Sequence, residues 1–227
     1  MRIRAITSFI HPRWPLNRLI LQKAGIFAQH AKQAYEAAGY PVQTLRMATP
    51  SFTNYLFPED YTKAASQITV FAHSEGFEYT SLGPALPGNA ESYRVIPELL
   101  SLADGLFFSG QLTTNQSEID FQAVRACAEV IHRTAQIEKN GFANLRFAAL
   151  ANVPPWAPFF PAAYHQGSAP AFALALEAAD LAVEAFSTAS SLRTARQNLI
   201  TEIERHAKVL EEVGERLGNI YQVEFKG

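Results

Sequence analysis

An α/β fold, with a largely parallel sheet or barrel and helices outside it, is predicted by three features of the sequence. Strand-like and helix-like segments alternate at intervals of about 30 residues, the length of a strand–helix–strand unit. Several of the strand segments are short apolar runs of the sort a buried sheet uses. No long Gly/Ser or charged run divides the 227 residues, 48 % of them hydrophobic, so one domain over 1–227 is expected.

Arg2–Ile10 is rich in β-branched residues and stops at His11-Pro12, which predicts a first strand. Asn17–Gly39 carries apolar or small residues at 20, 24, 27, 31, 34, 35 and 38, one helical face with a glycine to end it. Pro41–Ala48 alternates as a second strand and ends at Thr49-Pro50. After an aromatic turn at Phe52–Phe57, Pro58 suits the first turn of a helix over Glu59–Ser74. Glu78–Leu82 reads as a third strand, with Gly83-Pro84 and Pro87-Gly88 as the loop behind it. Asn89 can cap a helix that bends or restarts at Pro97 and ends at Asp104-Gly105.

Leu106–Ser109 has a buried-strand pattern and is followed by the polar loop GQLTTNQ. Ser117 is the predicted cap of a helix with the stripe Val124, Cys127, Ala128, Ile131 and Ala135, closed by Lys139-Asn140-Gly141. Leu145–Ala151 and Ala171–Leu176 are two further strand candidates, and a helix is expected near Ala179–Phe186. The longest helix is predicted over Leu192–Leu217, roughly 39 Å at 1.5 Å per residue. Its seven-residue repeat is imperfect, so packing on its own domain is favoured over a coiled coil between subunits. Ile220–Phe225 reads as a last strand.

Between Ala151 and Ala171 the chain is stiff and greasy rather than flexible. Prolines at 154, 155, 158, 161 and 170 stand among Trp156, Phe159, Phe160, Tyr164 and His165. Such a segment is expected to pack over the end of the sheet and shape a cavity there.

Composition removes several classes of function. A net charge of −2 offers no concentrated basic surface, so neither nucleic acid nor an anionic membrane is an expected partner. The single cysteine, Cys127, excludes an internal disulfide framework and a multi-cysteine zinc site. MRIRAITSFIHPRW has too short an apolar run and no small-residue cleavage site for a signal peptide. No run of about 18 apolar residues occurs, so a cytoplasmic protein is expected. Phosphate-binding glycine loops, HExxH and GxSxG are all missing, and the cofactor is left unknown.

The segments GFEYTSLGPALPG, ESYRVIPELL, AVRACAEVIHRTA, GFANLRFAALANVPP, PFFPAAYHQG and AFALALEAADLAVEAF, with the opening RIRAIT, carry a resemblance over nearly the whole chain. Together they resemble the bacterial and archaeal domain-of-unknown-function 711 family. That resemblance implies a fold similar to the ten-stranded α/β barrel of pyruvate formate-lyase-like glycyl radical enzymes. It also implies that this chain is the N-terminal part of a longer member, incomplete at its C-terminus. The family brings no reaction with it. Radical chemistry would need a cysteine thiyl in the barrel and a glycyl loop, whereas Cys127 falls on a helical stripe and no such loop is visible.

Sites in parallel α/β folds gather at the carboxyl ends of strands. Polar residues at those ends are Ser8, His11, Thr49, Ser81, Ser109, Thr113, Thr114, Asn152, Glu177 and Asp180, most of which can equally serve as caps and turns. His165 is the acid–base candidate because imidazole titrates near neutrality, with Ser81, Ser109, Asn152 and Tyr164 as substrate-binding candidates. A metal held by His11, His165, Glu177 and Asp180 has no supporting spacing and is not expected. The first reading is therefore an enzyme, or enzyme-like barrel, acting on a small polar metabolite at the barrel mouth. The alternative is a non-catalytic binding or assembly protein, a homo-oligomer built through residues 192–217.

Overall fold

The computed structural model describes residues 1–114 and 116–227, so Asn115 of the predicted GQLTTNQ loop lies outside the described residues. Strands β1 (Arg2–Phe9), β2 (Val42–Ala48), β3 (Tyr79–Ala85), β4 (Leu106–Gln111) and β5 (Phe147–Leu150) alternate with helices α1 (Arg18–Ala37), α2 (Tyr61–Ser74), α3 (Ala90–Leu100) and α4 (Phe121–Thr134). Then follow β6 (Ala171–Glu177), α5 (Ala179–Ser187), α6 (Leu192–Tyr221) and the two-residue β7 (Glu224–Phe225). The seven strands form one sheet in the order β5-β4-β3-β2-β1-β6-β7. β1 to β5 are mutually parallel, whereas β6 runs antiparallel to β1. The sheet is open, with β5 and β7 at its edges, and does not close into a barrel.

Strand order dictates where the helices go. β1 to β5 are neighbours in chain order, and right-handed crossovers between consecutive parallel strands put α1 to α4 all on one face. Ile6, Leu45, Met47, Leu82, Leu106, Phe108 and Phe172 meet Leu21, Phe27, Ile68, Ile96 and Val130 in a single core on that face. α6 joins it through Leu210, Val213 and Leu217, which are buried against their own chain, while Leu192 and Ile203 stay exposed. No helix among the described residues is long and apolar enough to cross a membrane.

Several local expectations are corrected. α4 is capped by Asp120, whose carboxylate accepts from the N–H groups of Gln122 and Ala123 at 2.8 and 3.0 Å, and not by Ser117. An antiparallel bridge pairs Thr113 with Ile119, and Ser117 itself stands at φ +64°, so the helix starts only after Asp120. Its buried stripe is Ala123, Cys127, Val130 and Thr134, while Val124 and Ile131 are exposed. Gly83-Pro84 lies inside β3, where a bulge between Ser81 and Pro84 absorbs a residue that cannot donate to the ladder. α3 runs through Pro97 without restarting. β5 is shorter than the run Leu145–Ala151, because a 3-10 segment occupies Lys139–Arg146. α6 continues to Tyr221 and ends at Gln222 in the left-handed region, leaving only Glu224–Phe225 of the predicted last strand.

Because β6 is antiparallel, its start lies at the same end of the sheet as the carboxyl ends of β1 to β5. Residues 151–170 must therefore cross from the β5 edge to β6, five strand spacings or about 24 Å. Twenty residues reach much further than that, and the slack lets the segment settle on the face the helices leave bare. Phe9, Ala48, Ala163, Ala171 and Ala173 form a second, smaller core there with Trp156 and Phe160.

Candidate functional site

The strap formed by residues 151–170 needs its backbone satisfied although it is pressed against the sheet. Its five prolines remove five donors at the outset. Side chains from the strap-facing side of the sheet serve some of the acceptors. Thr7 Oγ1 donates to the Pro158 carbonyl at 2.9 Å and Ser81 Oγ to the Ala163 carbonyl at 2.8 Å. Within the strap, Trp156 N–H donates to Tyr164 O at 2.9 Å, and the Tyr164 hydroxyl donates to Val153 O at 2.8 Å. Phe160 packs edge-on to Phe107, with the Arg46 guanidinium 5.4 Å from its ring centre.

These contacts deliver His165 to the end of β2, where its N–H donates to the Thr49 carbonyl at 3.0 Å. The residue is only 3 % exposed. Trp156 Nε1–H points at His165 Nδ1, 3.3 Å away. An indole N–H can only donate, so Nδ1 is the acceptor and the ring proton sits on Nε2. That Nε2–H is buried and meets no hydrogen-bonding protein atom, a costly arrangement in a folded core. Trp156 reaches its place at φ +66°, a left-handed conformation that a bulky residue adopts at a cost of about 1 kcal/mol or more.

Burial pulls the His165 pKa down to about 4, with His11 and Lys226 adding repulsion. His11 lies at the end of β1, its ring tilted against Tyr55 at 5.1 Å, and its pKa is also pulled down, first by burial and then by Arg13. Lys226 sits over the Trp156 ring at 4.3 Å. Tyr55 shares a 3.0 Å hydrogen bond with Thr49 Oγ1, and burial pushes its hydroxyl well up. Burial likewise raises Tyr164, against which Gln111 acts in the opposite sense.

The folded His165 pKa lies below the ordinary value of 6.5, so the unfolded chain binds the extra proton between about pH 6.5 and pH 4. Stability must then fall as the pH drops through that window, by roughly 2 kcal/mol once partial screening is allowed for. Urea unfolding of the wild type and of His165→Phe at a series of pH values checks this. The difference between the two curves should narrow on acidification, and parallel curves would remove the assigned shift.

Ser81, Tyr164 and His165 are thus tied together through the strap. Ser109 lies on the strap-facing side of β4, fully buried, two residues beyond Phe107, and its Oγ has no protein partner. Asn152 is exposed at the start of the strap, with φ +54°. Glu177 and Asp180, grouped with His11 and His165 on sequence grounds, stand at the opposite end of the sheet. The antiparallel run of β6 takes them there, and they are engaged by Arg2 and by the N-terminal ammonium group. Trp156, which fixes the imidazole, and Thr7, which holds the strap, are the residues sequence reasoning missed. A lone indole and a lone threonine in such contexts carry no distinguishing spacing.

The class these features define is a singly wound, open α/β sheet whose bare face is crossed by a proline-aromatic strap carrying a buried histidine. All of the chain, residues 1–227, matches the family described as Uncharacterised ACR (DUF711), and the protein belongs to that family. No curated protein matches the chain.

Proposed function

We propose that the protein acts as an enzyme, or enzyme-like binding protein, on a small polar metabolite that carries a carbonyl or carboxylate and binds at the strapped end of the sheet. The observation that carries this reading is the His165 Nε2–H, a buried donor without a partner, held in one tautomer by Trp156. A neutral imidazole of low basicity is poorly suited to abstract a proton at neutral pH. It is well suited to donate a hydrogen bond to an acceptor oxygen and polarise it, as neutral histidines do in other enzymes. Ser109 offers a second unpartnered polar group, a hydroxyl, on the same face, and Tyr164 and Asn152 belong to the strap. The ten-stranded barrel of the pyruvate formate-lyase type is the larger frame proposed for this sheet. Single winding, with every crossover on one side and the strap on the other, supports it. A cytoplasmic location is proposed with it.

The test is thermal-shift screening against a panel of small oxo-acids, hydroxy-acids and amides. A ligand at a hundred times its dissociation constant adds about 2.7 kcal/mol to stability, which for a chain of this size raises the midpoint by roughly 5–10 °C. The rise should vanish in His165→Phe and weaken in Trp156→Phe, which frees Nδ1 and lets the tautomers exchange. An equal rise in wild type and His165→Phe, or no rise with any compound, would refute the site. The assembly alternative now rests on the exposed Leu192 and Ile203, and a monomer in sedimentation removes it.

A further inference from the structure

A cavity of about 640 Å³ opens at the end of β1 between the start of α1 and the end of α6. This is within the range of about 300–1,000 Å³ that small-molecule sites occupy. Its walls are apolar, with Ile10, Ile20, Phe27 and Ile220 among them. Ser8 lines it from the helix-facing side of β1; the residue is 3 % exposed and its hydroxyl has no hydrogen-bonding protein partner. Arg13 and Lys23 also line the cavity, and neither is within ion-pair distance of a carboxylate among the described residues. No Asp or Glu lines it. An apolar body, a buried unpaired hydroxyl and two unneutralised cations together select one chemistry.

We propose that this cavity binds a monocarboxylate with an apolar chain, its carboxylate met by Arg13, Lys23 and the Ser8 hydroxyl and its chain lying against Ile10, Ile20, Phe27 and Ile220. Charge complementarity sets the class. A neutral chain would leave both cations and the hydroxyl unanswered, and a polyanion would have to desolvate extra charge against an apolar wall. The cavity adjoins the strap, since Phe9, His11, Ser168 and Pro170 also line it, but His165 does not, and Ser8 enters it from the helix-facing side of β1 while Thr7 bonds to the strap.

Isothermal titration of the protein with decanoate, below its micelle-forming concentration, tests the proposal, with decan-1-ol as the neutral comparison. One-to-one binding of decanoate is expected, with decan-1-ol at least about tenfold weaker, a factor typical of one lost charge-assisted contact. Lys23 is exposed on α1, so Lys23→Gln should fold normally and bind decanoate several-fold more weakly. Ser8→Ala should weaken binding while leaving the fold intact, since it removes a buried hydroxyl that has no protein partner. His165→Phe should bind decanoate as the wild type does, which separates this site from the one under the strap. Absence of decanoate binding at millimolar concentration, equal affinity for the alcohol, or unchanged affinity in both Lys23→Gln and Ser8→Ala would overturn the assignment.

Discussion

Gly83→Ala is expected to cost about 3–5 kcal/mol, combining strain at a left-handed backbone position with overpacking. Gly83 has φ +77°, and a Cβ built on it would lie 2.6 Å from the Pro50 carbonyl oxygen, 2.7 Å from its carbon and 2.8 Å from Ser51 N. All three are backbone atoms at the end of β2, and they are not free to move away. Ser51 Oγ donates to the Pro84 carbonyl at 2.6 Å and pairs with Thr53 Oγ1 at 2.8 Å, which clamps the two chain segments together. Gly88 supplies an internal control. It has a similar φ of +83° but nothing within 4 Å of an added Cβ, so Gly88→Ala should cost only the conformational penalty of roughly 1 kcal/mol. Chemical denaturation of the two variants separates the terms. Equal losses would mean that β2 and β3 do not approach each other as closely as described.

Arg146→Ala is expected to cost about 3 kcal/mol, the lower end of the range for breaking a buried charge network from one side. Arg146, at the entry to β5, is 7 % exposed. One nitrogen donates to the Leu100 and Ala103 carbonyls at 2.7 and 2.9 Å, and another pairs with Glu138 at 2.7 Å. It thereby satisfies carbonyls at the end of α3, where the helix dipole is negative, and ties that end to the segment leading into β5. Arg146→Lys keeps the charge but loses the fork and should recover only part of the loss. Glu138→Gln should lose well under half as much, because Glu138 is partly solvated. If Arg146→Ala unfolds at the wild-type denaturant midpoint, the network does not carry the edge of the sheet.

Arg146 also illustrates what a sequence leaves unsaid. Nothing in GFANLRFAAL marks that arginine as buried, since its partners are more than forty residues earlier in the chain or lie across a 3-10 turn. The alternation of strands and helices was readable because each element carries its own period: Arg2–Phe9 and Val42–Ala48 as β-rich runs, Arg18–Ala37 as a single apolar face. Strand direction has no such signature. Ala171–Glu177 looks like any buried strand, and only its partner β1 reveals that it runs antiparallel. This one reversal moved Glu177 and Asp180 to the far end of the sheet. It also explains why the connection before β6 is a strap rather than a helix. Helix phase failed for a related reason in α4. Val124 and Ile131 are larger than Ala123 and Thr134, yet close packing at Gly110, whose added Cβ would sit 2.8 Å from Cys127 Sγ, favours the smaller stripe. In the strap, the run of prolines and aromatics forecast stiffness. The indole–imidazole contact depends on a left-handed turn at Trp156 that no residue preference announces.

The strap is therefore the feature that links fold and proposed function. It covers the face left bare by single winding, draws its carbonyl partners from Thr7 and Ser81, and ends by burying an imidazole whose outward nitrogen is unanswered. The most direct measurement is a two-bond proton–nitrogen NMR correlation of the His165 ring, recorded from neutral pH down to pH 5. The predicted result is a neutral ring protonated on Nε2 throughout, shifting at that nitrogen when an acceptor-bearing ligand binds. A charged ring at pH 5, or a ring protonated on Nδ1 at neutral pH, would contradict it.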